Sequence, residues 1–199
     1  MGPDFSMEIG LGGIVAGVDE VGRGPWAGPV TACAVVLDPD CIPEGLNDSK
    51  KLTQARRDAL AQMLLDCAEV SVGWASVEEI DALNIRQATF LAMSRAISGL
   101  KTTPSHALID GNATPSGLSC ASSCVVKGDA LSVSIAAASI VAKVRRDSLM
   151  KELAVMHPGY GWDTNMGYGT AKHSDGLHHL GVTPHHRRSF APIRKMLCG

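Results

Sequence analysis

Four acidic residues stand where predicted strands or loops end, and their positions are suited to chemistry. Asp19 and Glu20 close the first predicted strand, immediately before G-R-G at 22–24. Asp110 closes the fourth predicted strand, and Asp129 lies in the loop before a long predicted helix. Because side chains from separate strands gather at the strand ends of an α/β sheet, we expect these carboxylates to converge.

Converging carboxylates without a matching set of cations repel one another and resist joint ionisation. Their natural partner is a hard divalent cation with oxygen ligands, Mg²⁺ or Mn²⁺. Two such ions can activate an attacking water and stabilise a leaving oxygen. We therefore predict that the four carboxylates are both metal ligands and catalytic residues, with two ions bound during catalysis.

One geometric condition applies to the adjacent pair Asp19 and Glu20. Neighbouring residues of a regular strand point to opposite faces of the sheet. The pair can therefore serve one site only if the strand ends or twists there, and the glycine-rich turn at 22–28 makes this plausible. Asp110 taken alone fits an ordinary Asp-Gly turn equally well.

The hydrophobic pattern predicts elements that alternate between strands and helices. Predicted strands cover residues 13–19, 30–37, 70–77, 107–110 and 122–126, and predicted helices begin after Thr53, Ser76, Asn84 and residue 130. A glycine-rich loop follows at 157–169, and the remainder reads as short helices broken by Gly181, Pro184 and Pro192. We predict one α/β domain over residues 1–199, with a mixed sheet that begins with an antiparallel pair, helices on both faces, and a C-terminal helical extension from about residue 157.

Composition sets the broad class of the protein. The 199 residues include 45% apolar and 19% charged residues, which excludes intrinsic disorder. The longest apolar stretches, 30–37 and 135–142, are far shorter than a membrane span requires. The start of the chain carries no cationic segment of the secretory kind, and the six cysteines form no C-x-x-C pair. We predict a cytoplasmic monomer whose cysteines remain thiols.

Charge is distributed unevenly along the chain. Residues 1–142 carry 9 Lys/Arg and 16 Asp/Glu, whereas residues 143–199 carry 9 and 4, together with six of the seven histidines. A basic C-terminal third on an acidic body suggests a polyanionic partner bound on one side. An ordinary solvated helix face explains the same charges equally well.

Several segments of the chain together resemble the ribonuclease HII family, the type 2 ribonucleases H. The resemblance runs over about residues 13–192 and is carried by G-I-V-A-G-V-D-E-V-G-R-G at 13–24, P-W-A-G-P-V at 25–30, L-N-D-S-K-K-L at 46–52, I-D-G at 109–111, K-G-D at 127–129, A-A-A-S-I-V-A-K-V-R-R-D at 136–147, G-Y-G at 167–169 followed by Thr170 and His173, and H-R-R-S-F at 186–190. About a dozen residues precede the first predicted strand, so the resemblance favours this family over ribonuclease HIII, which has an extra N-terminal domain.

The resemblance implies a ribonuclease H-like fold and a metal-dependent endonuclease. Such enzymes cut the RNA strand of RNA–DNA hybrids, or cut 5′ of a ribonucleotide embedded in duplex DNA, and leave a 3′-hydroxyl and a 5′-phosphate. By motif position, Asp19, Glu20, Asp110 and Asp129 match the four metal carboxylates. The G-R-G motif, Gly22, Arg23 and Gly24, matches the reader of the ribose 2′-hydroxyl, and Tyr168 matches the tyrosine that stacks on the sugar beyond the junction.

Four further residues are candidates for contact with substrate phosphates: Lys50, Lys51, Ser139 and Lys143. For one of Lys50 and Lys51, a solvated side chain in front of a helix is a serious alternative to a phosphate contact. Ser139 either shares the phosphate contact of Lys143 or packs in the interior. Arg145 and Arg146 fit a helix surface as well as they fit a phosphate contact. The role of His173 stays open.

Two other functions use part of the same pattern. A junction resolvase with the same kind of fold also needs acidic metal ligands, but it needs no 2′-hydroxyl reader at 22–24. A nucleic-acid-binding module without catalysis does not need four converging carboxylates, which oppose phosphate binding when metal is absent. A zinc site built from His178, His179, His185, His186 and Cys198 matches no standard ligand spacing.

Overall fold

A computed structural model describes residues 2–198. The strands are β1 (Val15–Val21), β2 (Val30–Leu37), β3 (Ala68–Ala75), β4 (His106–Asp110) and β5 (Ala121–Val125). The helices are α1 (Ser6–Leu11), α2 (Gln54–Cys67), α3 (Val77–Leu83), α4 (Ile85–Ser98), α5 (Val133–Met156), α6 (Trp162–Asn165), α7 (Ala171–Leu180) and α8 (Ala191–Cys198), with 3₁₀ turns at Ser49–Lys51 and Gly128–Ala130. No helix in this part of the chain has the length and apolar character needed to cross a bilayer.

The strands form one mixed sheet in the order β3-β2-β1-β4-β5. β1 pairs antiparallel with β2, which pairs antiparallel with β3. β4 runs parallel to β1 and to β5. The predicted mixed sheet with an antiparallel entry is confirmed, and β1 lies at its centre.

Helices cover both faces of the sheet. On one face, α4 packs against Ala16, Val18 and Ala32. On the other, α2 and α5 pack against Cys33 and Val35. Even-numbered residues of β1 therefore face α4 and odd-numbered residues face α5, as strand alternation requires.

Three of the four predicted helix starts are confirmed by their caps, and the fourth helix, predicted from residue 131, begins at Val133 after the cap Ser132. The Thr53 hydroxyl accepts a hydrogen bond from the N–H of Arg56, and Asn84 accepts bonds from the first turn of α4. Ser76 and Glu79 form a reciprocal capping box at the start of α3. Local side-chain chemistry alone was sufficient to locate these three starts.

Two helices lie where none was predicted. α1 docks through Glu8, which is buried and accepts hydrogen bonds from the Ser132 hydroxyl and the Ser134 N–H at the start of α5. α6 interrupts the predicted loop at 157–169, because Trp162 buries its whole side chain among the C-terminal helices. Both helices depend on contacts with distant parts of the chain, and their local sequence does not display them.

Candidate active site

Asp110 is the residue that connects the four acidic side chains. It ends β4 beside the central strand β1, one position beyond the paired Val18 and Ile109. Its negative charge raises the pKa values of Asp19, Glu20 and Asp129, in each case after the larger effect of burial. The end of β4 is therefore the place where the predicted carboxylates converge electrostatically.

Asp19 and Glu20 stand where β1 loses one of its two neighbours. β1 keeps its pairing with β2 as far as Val21, but its pairing with β4 ends at Val18 and Ile109, so both acidic residues lie just beyond the β1–β4 ladder. Asp19 is buried on the α5 side, near Ser139, whereas Glu20 lines a cleft with α4 residues. The two side chains thus approach the end of β4 from opposite faces of the sheet.

The Asp129 loop is tied directly to Asp110. The backbone N–H of Gly128 donates a hydrogen bond of 2.6 Å to the Asp110 carboxylate. The pKa of Asp129 is raised by burial and by the carboxylate of Asp48, and it is lowered by Lys50. Asp48 is a fifth acidic residue at this edge, and its turn-capping role explains why the sequence did not single it out.

The acidic cluster has the donor chemistry of a hard divalent cation. Burial raises the pKa of Asp19 well above its usual range. The negative charges of the Glu20 and Asp110 carboxylates raise it further. Glu20 forms an ion pair with the exposed Arg23, whose guanidinium lies 3.4 Å from its carboxylate oxygen. Among residues 2–198, no three His, Cys, Asp or Glu side chains are close enough to form a complete metal site. The oxygen donors of these carboxylates suit Mg²⁺ or Mn²⁺.

A cleft of about 130 Å³ opens beside Glu20 and Asp110. Its other walls include Arg23, Arg86 and Asn112. Cationic and amide side chains therefore stand next to the carboxylates on the side that faces α4. A phosphate group could approach the acidic cluster from this side only if its charge were balanced by a cation.

One buried arginine, Arg187, forms hydrogen bonds with the backbone of the G-R-G loop from the interior of the protein. The guanidinium of Arg187 is fully buried and donates hydrogen bonds to the backbone carbonyls of Gly22, Arg23, Gly28 and Pro29. Burial and the charge of Arg146 lower the pKa of Arg187 to about 9, so it remains protonated at neutral pH. The loop therefore has a fixed path, and its carbonyls point inward to Arg187.

A second buried arginine, Arg146, connects the segment 27–29 with the loop that contains Met166. Arg146 donates hydrogen bonds to the carbonyls of Pro29, Ala27 and Met166, at 3.0, 3.1 and 2.9 Å. Gly22 has a φ of +91°, and a Cβ added there would lie 2.1 Å from Nε of Arg146. The surface position considered for Arg146 is therefore wrong, because its guanidinium fills the space between the two loops.

Tyr168 lies beside the G-R-G loop. Its side chain is 48% exposed, and a Cβ added at Gly24 would lie 3.3 Å from its ring. The two features predicted to read the substrate are thus neighbours, although 144 residues separate Gly24 from Tyr168 in the sequence. An exposed aromatic ring next to an open backbone loop is suited to stacking on a sugar or base.

The remaining predicted substrate residues lie on two elements. Lys50 and Lys51 are exposed on the turn Ser49–Lys51, whose Ser49 hydroxyl lies 3.0 Å from that of Ser139. Ser139 is buried with its hydroxyl next to that of Ser49, so its position favours the packing role over a free phosphate contact. Lys143 forms an ion pair of 2.8 Å with Asp147 on the next turn of α5.

Comparison with known proteins agrees with this geometry. The model of the family described as ribonuclease HII matches residues 16–193. A ribonuclease HII of Jannaschia sp. (strain CCS1) is 80% identical over 199 residues, which cover 100% of both chains. The crystal structure of the ribonuclease H2 from Pyrococcus horikoshii OT3 has a TM-score of 0.80 and 28% identity, and covers 92% of this chain and 96% of its own.

A more distant structure shares the fold. Bst-RNase HIII in complex with Mn²⁺ has a TM-score of 0.71 at 18% identity, and the match covers 93% of this chain and 69% of that one. The family match spans every element from β1 to the start of α8, including the acidic cluster and both loops that flank it. The chain therefore belongs to the ribonuclease HII family and is a ribonuclease.

Proposed function

We propose that the protein is a metal-dependent endonuclease that hydrolyses the RNA strand of RNA–DNA hybrids and cuts 5′ of ribonucleotides embedded in duplex DNA. The products are a 3′-hydroxyl and a 5′-phosphate. The observation that carries the proposal is that Glu20 and Asp110 line one cleft and the Asp129 loop is bonded to Asp110, beside a backbone loop whose carbonyls Arg187 holds. Family membership supports the same activity.

Asp19, Glu20, Asp110 and Asp129 would hold the divalent ions. When bound, Mg²⁺ or Mn²⁺ supplies an activated water and stabilises the leaving oxygen. The chain's own part is to hold the carboxylates at one sheet edge and to fix the Asp129 loop through the bond from Gly128 to Asp110. The fold neighbour Bst-RNase HIII was solved in complex with Mn²⁺.

The G-R-G loop and Tyr168 would select the substrate. Because Arg187 holds the carbonyls of Gly22 and Arg23 inward, the loop presents its other polar groups to the solvent side, where a ribose 2′-hydroxyl can both donate and accept. Tyr168 would stack on the next sugar, and Arg23, Lys50, Lys51 and Lys143 would meet phosphates. The buried charges of Arg146 and Arg187 add positive potential behind these loops.

A single incubation series tests the function. A DNA duplex with one embedded ribonucleotide should be cut 5′ of that nucleotide in Mg²⁺ and remain intact in EDTA, while the all-DNA duplex stays uncut. An RNA–DNA hybrid should be cut in its RNA strand. Cleavage of a branched DNA junction without any ribonucleotide would instead indicate a resolvase, and metal-independent binding without cleavage would indicate a binding module.

Metal binding should raise the thermal stability of the protein. The free carboxylates repel, and a ligand that binds only the native state stabilises it by about 2.7 kcal/mol at 100 times its Kd. We expect Mg²⁺ or Mn²⁺ to raise the Tm measured by differential scanning fluorimetry, and Asp129→Asn to reduce this shift. Asp163→Asn, at an exposed carboxylate of α6, is the matched control and should leave the shift unchanged. An equal shift in a variant that lacks all four carboxylates would mean that the ions bind elsewhere.

A further inference from the structure

Two histidines lie at the centre of an aromatic cluster beneath the Tyr168 loop. His173 and His186 are both fully buried, and their Nε2 atoms lie 3.0 Å apart. The rings of Tyr160 and Trp162 surround the pair, with ring centroids 5.1 to 6.0 Å from those of the two histidines. None of the functions described above uses this buried pair.

The partners of His173 determine which of its nitrogens carries the proton. Nδ1 lies 3.0 Å from the backbone carbonyl of Tyr168, which can only accept, so Nδ1 must be the donor. Nε2 accepts a hydrogen bond of 3.1 Å from the indole N–H of Trp162. The ring is therefore neutral, with its proton directed at the Tyr168 carbonyl.

The partners of His186 determine its proton position in the same way. Its Nδ1 accepts a bond of 3.0 Å from the backbone N–H of Thr183, and the Thr183 hydroxyl lies 2.9 Å away. Nδ1 is thus unprotonated, and Nε2–H donates to Nε2 of His173. Burial, with the neighbouring His173, lowers the pKa of His186 to about 3, which agrees with a neutral ring.

The hydrogen bonds therefore run in one direction along a chain from Thr183 to His186, then to His173, and finally to the carbonyl of Tyr168. Each acceptor in this series of hydrogen bonds faces a donor. Reversing any one of the bonds would place two donors or two acceptors opposite each other. Thr183 lies beyond α7 and His173 lies in its first turn. These hydrogen bonds thus tie the exposed Tyr168 to two buried rings of the C-terminal region.

We propose that His173 is a positioning residue that holds Tyr168 against the G-R-G loop through the Tyr168 carbonyl, with the N–H groups of Trp162 and His186 together fixing the tautomer of His173. This inference rests on the proposed role of Tyr168 in substrate recognition. The Tyr168 ring lies next to Gly24, where even a Cβ would approach within 3.3 Å, so a small displacement of the loop changes the space open to a sugar. His173 therefore acts on the reaction through Tyr168 and not through the carboxylates.

Two variants at position 173 separate the positioning bond from ring packing. The amide nitrogen of His173→Asn stands as many bonds from Cα as Nδ1 does, and it can still donate to the Tyr168 carbonyl. The amide of His173→Gln reaches the Nε2 region and leaves that carbonyl without this donor. Both variants lose the imidazole ring, so we expect similar falls in Tm. His179→Gln, at an exposed histidine of the same helix, is the matched control and should change nothing.

The experiment measures kcat/KM on a duplex with one embedded ribonucleotide, well below the Tm of each variant. Tyr168→Ala should lose roughly one to two orders of magnitude, because base and sugar stacking on an aromatic ring is lost. A misplaced contact can cost up to about 100-fold, so His173→Gln should lose roughly tenfold or more, while His173→Asn stays within about threefold of the parent. In the Tyr168→Ala background, His173→Gln should cause no more than about a twofold further loss.

The outcomes distinguish the inference from the role on which it rests. If Tyr168→Ala leaves kcat/KM unchanged, the recognition role of Tyr168 fails and the inference fails with it. Suppose instead that Tyr168→Ala loses activity, but His173→Gln causes the same loss in the parent protein and in the Tyr168→Ala background. Only the positioning role of His173 is then overturned. Equal losses for Asn and Gln at position 173 also overturn it. Should His173→Gln not fold, His173→Phe takes its place in the cycle, since it keeps a planar ring and has no donor for the Tyr168 carbonyl. A loss that depends on Tyr168 supports the inference, and any other result overturns it.

Discussion

Asp110→Asn should abolish cleavage while leaving the fold intact. The substitution is nearly isosteric, and its side-chain oxygen can still accept the hydrogen bond from Gly128 that holds the Asp129 loop. It removes the charge that acts on Asp19, Glu20 and Asp129 together. Because loss of an outer-shell partner of a metal ligand already costs about 10–100-fold, we expect loss of a direct ligand to lower the rate by more than about 100-fold.

The stability of the same variant provides an independent check. Without metal, Asp110→Asn relieves repulsion among the carboxylates, so its Tm should equal or exceed that of the parent protein. In Mg²⁺ its Tm should rise less than that of the parent. Asp175→Asn, at an exposed position of α7, should match the parent in both measurements. A folded Asp110→Asn protein that cuts at nearly the parent rate would show that the acidic cluster is not the active site.

Arg187→Lys should cause the second large effect, on both stability and substrate cleavage. A lysine ammonium is a point charge and cannot reproduce the fork of a guanidinium, so several of the carbonyls at 22, 23, 28 and 29 would lose their donor. Breaking a buried charged network of this kind costs roughly 3–5 kcal/mol in the free energy of unfolding. For a chain of this size, we expect the Tm to fall by roughly 10 °C.

The activity of Arg187→Lys, assayed well below its Tm, tests whether the arginine also orients the G-R-G loop. We expect at least about a tenfold loss of kcat/KM on the single-ribonucleotide duplex, because contacts displaced by about 1 Å can cost up to about 100-fold. Arg188→Lys is the matched control, since the neighbouring arginine is exposed and surface changes stay within about 0.5 kcal/mol. A lower Tm with undiminished cleavage would limit Arg187 to a stabilising role.

Much of the fold could be predicted from local sequence signals. The boundaries of β2 and the capped starts of α2, α3 and α4 agree with prediction, because hydrophobic period and capping chemistry act within a few residues. α1 and α6 could not be predicted in this way. Their stability comes from Glu8 and Trp162, whose partners lie far away along the chain.

The candidate site divides in the same manner. The sequence by itself determined the four carboxylates, the G-R-G motif and Tyr168, because strand ends, glycine turns and family motifs are local features; the roles assigned to these residues remain predictions. Only the tertiary structure decided that Asp19 and Glu20 approach from opposite faces of the sheet and that Asp110 connects them.

The buried polar residues behind the site are the clearest case of tertiary control. In the sequence, Arg146 fits a helix surface or a phosphate contact, and Arg187 is a position of the H-R-R-S-F segment without an assigned role. His173 and His186 are two among several C-terminal histidines. Folding places all four in the interior, where each finds backbone carbonyls or ring nitrogens from segments far away in the chain. A buried polar group must have such partners, and long-range packing alone determines which partners it meets.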